Sequence, residues 1–305
     1  MIKRSVLGCL CLIAMVPCIA EGGTIYVNNA LGDDRANGLF PELRAVGDGP
    51  VATIRRGFAI AGASDTIVIA NTGLPYAESV TLDRPDLSGT DVFPLVIEGN
   101  GAVLRGVESL PTDVWRRVSK ETYRYQPYRK GHYQLIVNGT PAIEVPVGPD
   151  ATALPTLSPL QWCAFRGHVY FRVEPTKFID DYEFAAPLYD VGLGLHNARN
   201  VIVRNLNFEM FRLDGVAVTG NSRNVRLINV RSTANGRAGL SVSGTSQVQV
   251  GGLDLSGNRI ADQLVLVKGR VTEMPEAQVP PQPAPTPWDL KSAPNLRIVA
   301  PSAEH

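Results

Sequence analysis

The sequence predicts an all-β protein, a parallel β-solenoid with a capping helix at its N-terminal end and a small inserted β subdomain. Three observations carry this expectation. First, NVIVRNL (200–206), NVRLINV (224–230) and QVQVGGL (247–253) align so that apolar residues coincide at Val201/Val225/Val248, Val203/Leu227/Val250 and Leu206/Val230/Leu253, 24 and 23 residues apart. Second, another register follows each segment, in which Val216/Leu240/Leu264 and Val218/Val242/Leu266 recur every 24 residues. Each period is therefore expected to hold two short strands, and since one coil cannot bury its own apolar face, equivalent residues must stack on successive rungs. Third, Asn200/Asn224/Gln247 stand before the first strand and Asn205/Asn229 at its far end, with Gly252 interrupting that second ladder. Side-chain amides at such corners satisfy backbone groups and bond along the stack.

In chain order, Lys3 and Arg4 precede an apolar run from Val6 to Ile19, and Ala20 offers a cleavage point before Glu21. Residues 1–20 thus read as a signal peptide, and the protein as secreted, periplasmic or extracellular, with no integral membrane span after its removal. A lipid anchor at Cys18 fits less well, because Met15-Val16-Pro17 lacks the small residues that such processing needs. Removal takes three of the four cysteines and leaves Cys163, so no internal disulfide holds the chain and a core must. Beside Trp162 and Ala164, Cys163 reads as a buried small residue rather than a reactive thiol. Lys plus Arg and Asp plus Glu each number 29, so net charge points to no partner.

Residues 21–106 are expected to form the cap and first coils. Ile54, Phe58 and Ala61 give a helix through Ala52–Ala63 one apolar face, suited to cover the open end of the solenoid. Gly32-Asp33-Asp34 sits in a glycine-rich loop that fits an Asx-stabilised turn. Ca²⁺ is the one metal the loop could take, but it offers few of the six to eight oxygens such an ion wants. These features, Tyr26-Val27, Gly32-Asp33-Asp34, Gly38, the short helix, Asp65 to Ile69, Tyr76, Glu78 to Leu82 and Pro94 to Gly106, resemble the N-terminal end of secreted right-handed parallel β-helix proteins of the pectate-lyase-like superfamily. The resemblance implies a right-handed coil. It spans a superfamily of polysaccharide lyases, glycoside hydrolases, epimerases and non-catalytic adhesins or tail proteins, and no motif quoted belongs to a catalytic site.

Between 107 and 190 the rhythm vanishes. QLIV-NG-TPAI (134–143) and WCAF-RG-HVYFRV (162–173) read as hairpins of an inserted β subdomain. Asn138-Gly139-Thr140 also matches a glycosylation sequon, although the turn accounts for it and Pro141 follows. The stretch from Trp115 to Tyr133 holds six cations, Arg116, Arg117, Lys120, Arg124, Arg129 and Lys130, against the single acid Glu121. Trp115, Tyr123, Tyr125, Tyr128 and Tyr133 are interleaved with them. Flat aromatic faces and two-pronged guanidinium groups suit an acidic polysaccharide. The mixture would suit nucleic acid as well, a partner that export argues against. It also fits aromatics that pin a loop to the solenoid wall while the cations stay solvated.

Residues 191–270 are the repeat coils, and their loops hold the catalytic candidates. Glu209, Arg212 and Asp214 come from one loop, Arg237 from the next and Asp262 from the third, with Asp214, Arg237 and Asp262 spaced for neighbouring rungs. A lyase acting on a uronic acid polymer needs charge neutralisation, a base and an acid, whereas a hydrolase needs two carboxylates flanking the bond. Three solvated turns would look the same. Asn235 and Asn258 read as a further structural ladder, and His196 as a turn residue. After Gly269 the repeats are expected to stop. Residues 271–305 form a tail with six prolines between Pro275 and Pro287, and Leu296 to Ala300 could fold back to cap the last coil; that end could instead meet another chain, and the oligomeric state stays open. Two functions remain: a polysaccharide lyase or hydrolase acting on an acidic glycan, or a non-catalytic β-helix that binds glycan or serves as a surface scaffold.

Overall fold

The computed structural model describes residues 22–279. The expected signal segment, residues 1–20, and the segment from Leu296 to Ala300 lie outside the described residues. The chain is all-β with mostly parallel sheets in a β-helix-like arrangement. A long sheet orders the strands Thr24–Val27, Thr66–Ile69, Leu95–Glu98, Arg199–Arg204, Arg223–Ile228, Gln247–Gly251 and Arg270–Glu273, every neighbouring pair parallel. A second parallel sheet runs Val80–Leu82, Val191–His196, Asp214–Thr219, Ala238–Val242 and Ala261–Val265. The long-sheet register sets Val201 beside Val225 and Val225 beside Val248, as the repeat requires, and all three are buried.

Three expectations about the repeat are corrected. Each period holds a third strand, Val103–Arg105, Asn207–Glu209 and Arg231–Thr233 in a short parallel sheet. These strands are too short for an alternating pattern to be visible in sequence. In the second sheet, Leu240 pairs with Gln263 and Val242 with Val265, so Leu264 and Leu266 fall one position away from their expected rows. The corner asparagines Asn235 and Asn258 are 23 residues apart, and they set the shorter period of that coil. Finally, the coils do not stop at Gly269. Val271 pairs beside Val248, which adds Arg270–Glu273 to the long sheet through backbone bonds that a single apolar residue barely announces.

The corners work as the ladders predict. Asn200, Asn224, Asn205 and Asn229 all take positive φ between 51° and 56°, a conformation asparagine tolerates better than other non-glycine residues. Asn224 Nδ2 donates to Asn200 Oδ1 at 2.7 Å, and Asn229 Nδ2 to Asn205 Oδ1 at 3.3 Å. Gly252 occupies the next place on this second ladder at φ +65°, where a Cβ would lie 2.4 Å from Asn229 Oδ1.

At the N-terminal end the helix Ile54–Ile60 is shorter than expected, yet Ile54, Phe58 and Ala61 are all buried against the first strands. Thr53 caps it by accepting from Arg56 N, and the Glu78 carboxylate accepts from Ile54 N and Arg55 N. Asp34 accepts from the backbone of Ala52 and Thr53, and Asp33 from Arg35, so these acids serve the loop and the helix entry. Among the described residues, no group of three or more His, Cys, Asp or Glu stands together as a metal site would require.

Residues 107–187 contribute two further sheets, antiparallel except for the parallel pair of Ile143–Glu144 with Gln161–Phe165. One orders Thr140–Pro141, Ile136–Val137, Phe184–Pro187 and Val107–Leu110; the other Ile143–Glu144, Gln161–Phe165, His168–Arg172, Thr122–Tyr125 and Arg116–Arg117. Both expected hairpins are present, with positive φ at Asn138-Gly139 and at Arg166-Gly167. Cys163 is fully buried, and burial raises its thiol to about 11, which keeps it protonated at neutral pH. No described helix is long and apolar enough to cross a membrane.

Candidate functional site

The coil corners that carry the predicted catalytic residues meet residues 126–134, which run across them. Arg212 Nη1 donates to the carbonyls of Lys130 and Gly131, Gln134 Nε2 donates to Ala234 O at 3.2 Å, and His132 Nδ1 lies 3.3 Å from Gly236 O. Further along, Arg259 donates to Tyr133 O at 2.9 Å and to Glu144 at 2.6 Å. Three successive coils thus each hold the crossing segment through one corner. Between that segment and the strands Val107–Leu110 and Phe184–Pro187 lies a cleft of about 250 Å³, lined by Glu108, Tyr125, Tyr128, Arg129 and His132 among others, with Arg212 reaching it from the coils.

Within the site, acids and arginines pair diagonally. Asp190 Oδ1 takes Arg129 Nη1 and Arg212 Nε, each at 2.6 Å. The Arg212 guanidinium, helped by Arg129, holds the Asp190 carboxyl below its usual range. One coil on, Asp214 is fully buried and takes two bonds from Arg237, one of them from Nε at 2.8 Å, and a third from Ser241 Oγ at 2.7 Å. Its carboxylate also raises the Arg237 pKa. The third member breaks the series: Arg259 finds its acid, Glu144, outside the coils, and burial raises the Glu144 pKa against the opposing pull of Arg259.

Of the predicted catalytic residues, the structure brings Asp214 and Arg237 into direct contact and sets Arg212 beside Asp190. Glu209 lies on the short sheet and pairs with Arg105 Nη2 at 2.5 Å. Asp262 aligns with the coil of Gly239, is exposed and has no ion-pair partner among the described residues. Asn235 and Asn258 form a ladder, as their spacing suggests: Asn235 Nδ2 donates to Asn258 Oδ1 at 2.9 Å, and Asn235 Oδ1 accepts from Phe211 N. His196 sits at a corner with Thr219 Oγ1 at 2.9 Å, as a turn residue would.

The predicted binding surface divides by strand alternation. Trp115, Tyr123 and Tyr125 are buried in a core with Trp162, Phe171, Tyr182 and Phe184, with the Trp115 ring 4.7 Å from Tyr125 and 4.8 Å from Phe184. Buried on that side, the Trp115 and Tyr123 rings have no face to offer a sugar, and Tyr125 reaches the cleft only as part of its wall. Arg116 and Arg124, neighbours in register, point outward; Arg116 caps Asp113 and Trp115 carbonyls, and Arg124 lies 3.5 Å from the Tyr170 hydroxyl. Only Tyr128, fully exposed, and Arg129 combine aromatic surface and charge at the cleft. Sequence reasoning misses Asp190, at the expected boundary of the insert; the signal that could find it is Asp214, 24 residues on, which pairs with Arg237 as Asp190 does with Arg212.

No protein-family profile matches the chain, and no curated protein matches its sequence. Its fold is similar to that of a solved glycoside hydrolase, with a TM-score of 0.53 and 13% identity over 76% of this chain and 65% of that one. Weaker likenesses are to XylC in complex with xylose (TM-score 0.44, 12% identity, 82% of this chain and 63% of that one) and to a GH136 lacto-N-biosidase from Eubacterium ramulus (TM-score 0.40, 13% identity, 76% and 34%). The chain thus spans about two thirds of the length of the first of these structures, and what it shares at such identity is the fold.

Proposed function

We propose that this chain is an exported right-handed β-helix protein that binds an acidic glycan in the cleft beneath Tyr128. The observation that carries the reading is the sharing of one carboxylate oxygen by two guanidinium groups, Arg129 and Arg212, at that cleft. Arg129 commits a single one of its five donors to Asp190, so donors exceed acceptors there and suit a sugar carboxylate or sulfate. Glu108 on the lining disfavours a polyanion spread over the whole cleft and favours one charged group seated at the arginines. Tyr128 adds an exposed ring that a pyranose face can cover.

Hydrolysis is a second reading, favoured by the fold it shares with a glycoside hydrolase. It needs two carboxylates flanking a bond. Glu209, Asp190 and Asp214 are each committed to arginine, and Asp214 is out of reach of a ligand, so the binding reading is preferred. The test is calorimetry of the purified chain with uronic-acid, sulfated and neutral oligosaccharides, with reducing ends and unsaturated β-elimination product followed in the same tubes. Binding of acidic oligosaccharides without product supports the proposal. Product overturns the non-catalytic part of it, and equal affinity for neutral and acidic chains, or none for either, overturns the acidic-glycan part.

A further inference from the structure

The two ends of the coil stack differ. The first strand, Thr24–Val27, is covered by the helix Ile54–Ile60. At the other end, Arg270–Glu273 and Ala261–Val265 are each the last strand of their sheet, paired along one side only among the described residues. Among the described residues each therefore leaves one row of backbone donors and acceptors unpaired, the template on which another strand adds. Apolar side chains surround them: Ile260 is 60% exposed, Leu266 40% and Val267 88%.

We propose that this end binds a second copy of the chain in a closed two-fold contact. A head-to-tail stack is blocked, because the complementary end is under its helix. Like end must meet like end, and such a contact closes as a dimer instead of growing into a fibre. The charges agree with that symmetry. Lys268 and Arg270 stand at the beginning of the last long-sheet strand, Glu273 and Glu276 at its end; all four are exposed and lack ion-pair partners among the described residues. A two-fold axis perpendicular to the sheet reverses the partner strand, so the cationic corner of each copy faces the acidic corner of the other, twice. Asp254 and Arg259 at the same end are already paired, with Arg231 and Glu144. The inference is independent of the glycan reading.

Sedimentation velocity of the full chain over a concentration series tests it. Dimerisation is expected. Lys268→Glu/Arg270→Glu should weaken it roughly tenfold or more by setting acid against acid, and adding Glu273→Lys/Glu276→Lys should restore it. A chain that stays monomeric overturns the proposal, as does a dimer indifferent to the charge reversal or one that the fourfold swap fails to recover. Self-association seen only in Leu296→Asp/Ile298→Asp would assign the face to the chain's own C-terminal residues instead.

Discussion

Replacing Asn205 tests whether the corner ladders hold the stack together. Its backbone takes φ +56° and its side chain is buried. Nδ2 donates to Glu98 Oε1 at 2.9 Å, and Oδ1 accepts from Asn229 at 3.3 Å. In Asn205→Ala, the Cβ stays in the left-handed region without a local polar group to compensate, at a cost of roughly 1 kcal/mol. Loss of the amide leaves its two partners short of a bond in a buried corner, at about 1–3 kcal/mol, for a total of about 2–4 kcal/mol. Glu98 keeps Asn100 N and Arg204 Nε, so its carboxylate is not stranded and the estimate belongs in the lower half of that range. Asn205→Gly separates the two contributions, since glycine accepts positive φ but restores no bond, and it should recover roughly 1 kcal/mol of the loss. Urea unfolding followed by circular dichroism reads both variants. If alanine is as stable as asparagine, or glycine no better than alanine, the argument for the ladder is wrong.

Three further outcomes follow from the same geometry. Arg237→Ala strands the fully buried Asp214 and should cost about 3–5 kcal/mol, whereas the double variant Asp214→Asn/Arg237→Ala should recover part of that, because Ser241 can still donate to the amide; thermal melts of the cycle measure the coupling. Trp115→Ala should lose about 3–5 kcal/mol as a core cavity, while Tyr128→Ala stays within about 0.5 kcal/mol of the parent in stability and weakens glycan binding, a contrast read by melts and calorimetry on the same samples. Asp190 titrates below its ordinary value when folded, so its stabilising contribution is present above the unfolded pKa of about 4 and is lost as pH falls through the lower folded value. Protection of residues 126–134 against hydrogen exchange, taken relative to the unfolded-chain rate at each pH, should therefore fall over that acid window in the parent, and Asp190→Asn should abolish the acid-dependent step.

What was legible in the sequence, and what was not, follows from how each feature is encoded. The long sheet was legible because its inward residues lie on every rung: Val201, Val225 and Val248 must be apolar wherever they stack. The third sheet was hidden because each of its strands turns only one residue inward, as Phe208 and Ser232 do, and one residue makes no period. Leu264 slips by one position because the Asn235–Asn258 corner spans 23 residues where the preceding coils take 24; chain length between corners, not the apolar pattern, decides register there. Side chains in the loops carried less information still. The sequence shows that Tyr123, Arg124 and Tyr125 alternate, but which face is buried depends on what packs over the strand, and that is Trp115 and Phe171 from elsewhere in the chain.

The diagonal pairing of the corner charges bears on function more than any single residue does. With Asp190 on Arg212 and Asp214 on Arg237, each acid is satisfied by the next coil before any ligand arrives. A catalytic pair would need at least one carboxylate released from such a partner and one held protonated near neutral pH. Glu144 is the site acid whose pKa burial raises, and it sits by Arg259, two rungs from the Arg212 corner. At about 4.8 Å per rung the two corners stand roughly 10 Å apart along the stack, with the crossing segment anchored between them. The same separation is no obstacle to holding a saccharide, which needs contacts in series and not convergence on one atom. This geometry is what favours binding over cleavage at these corners.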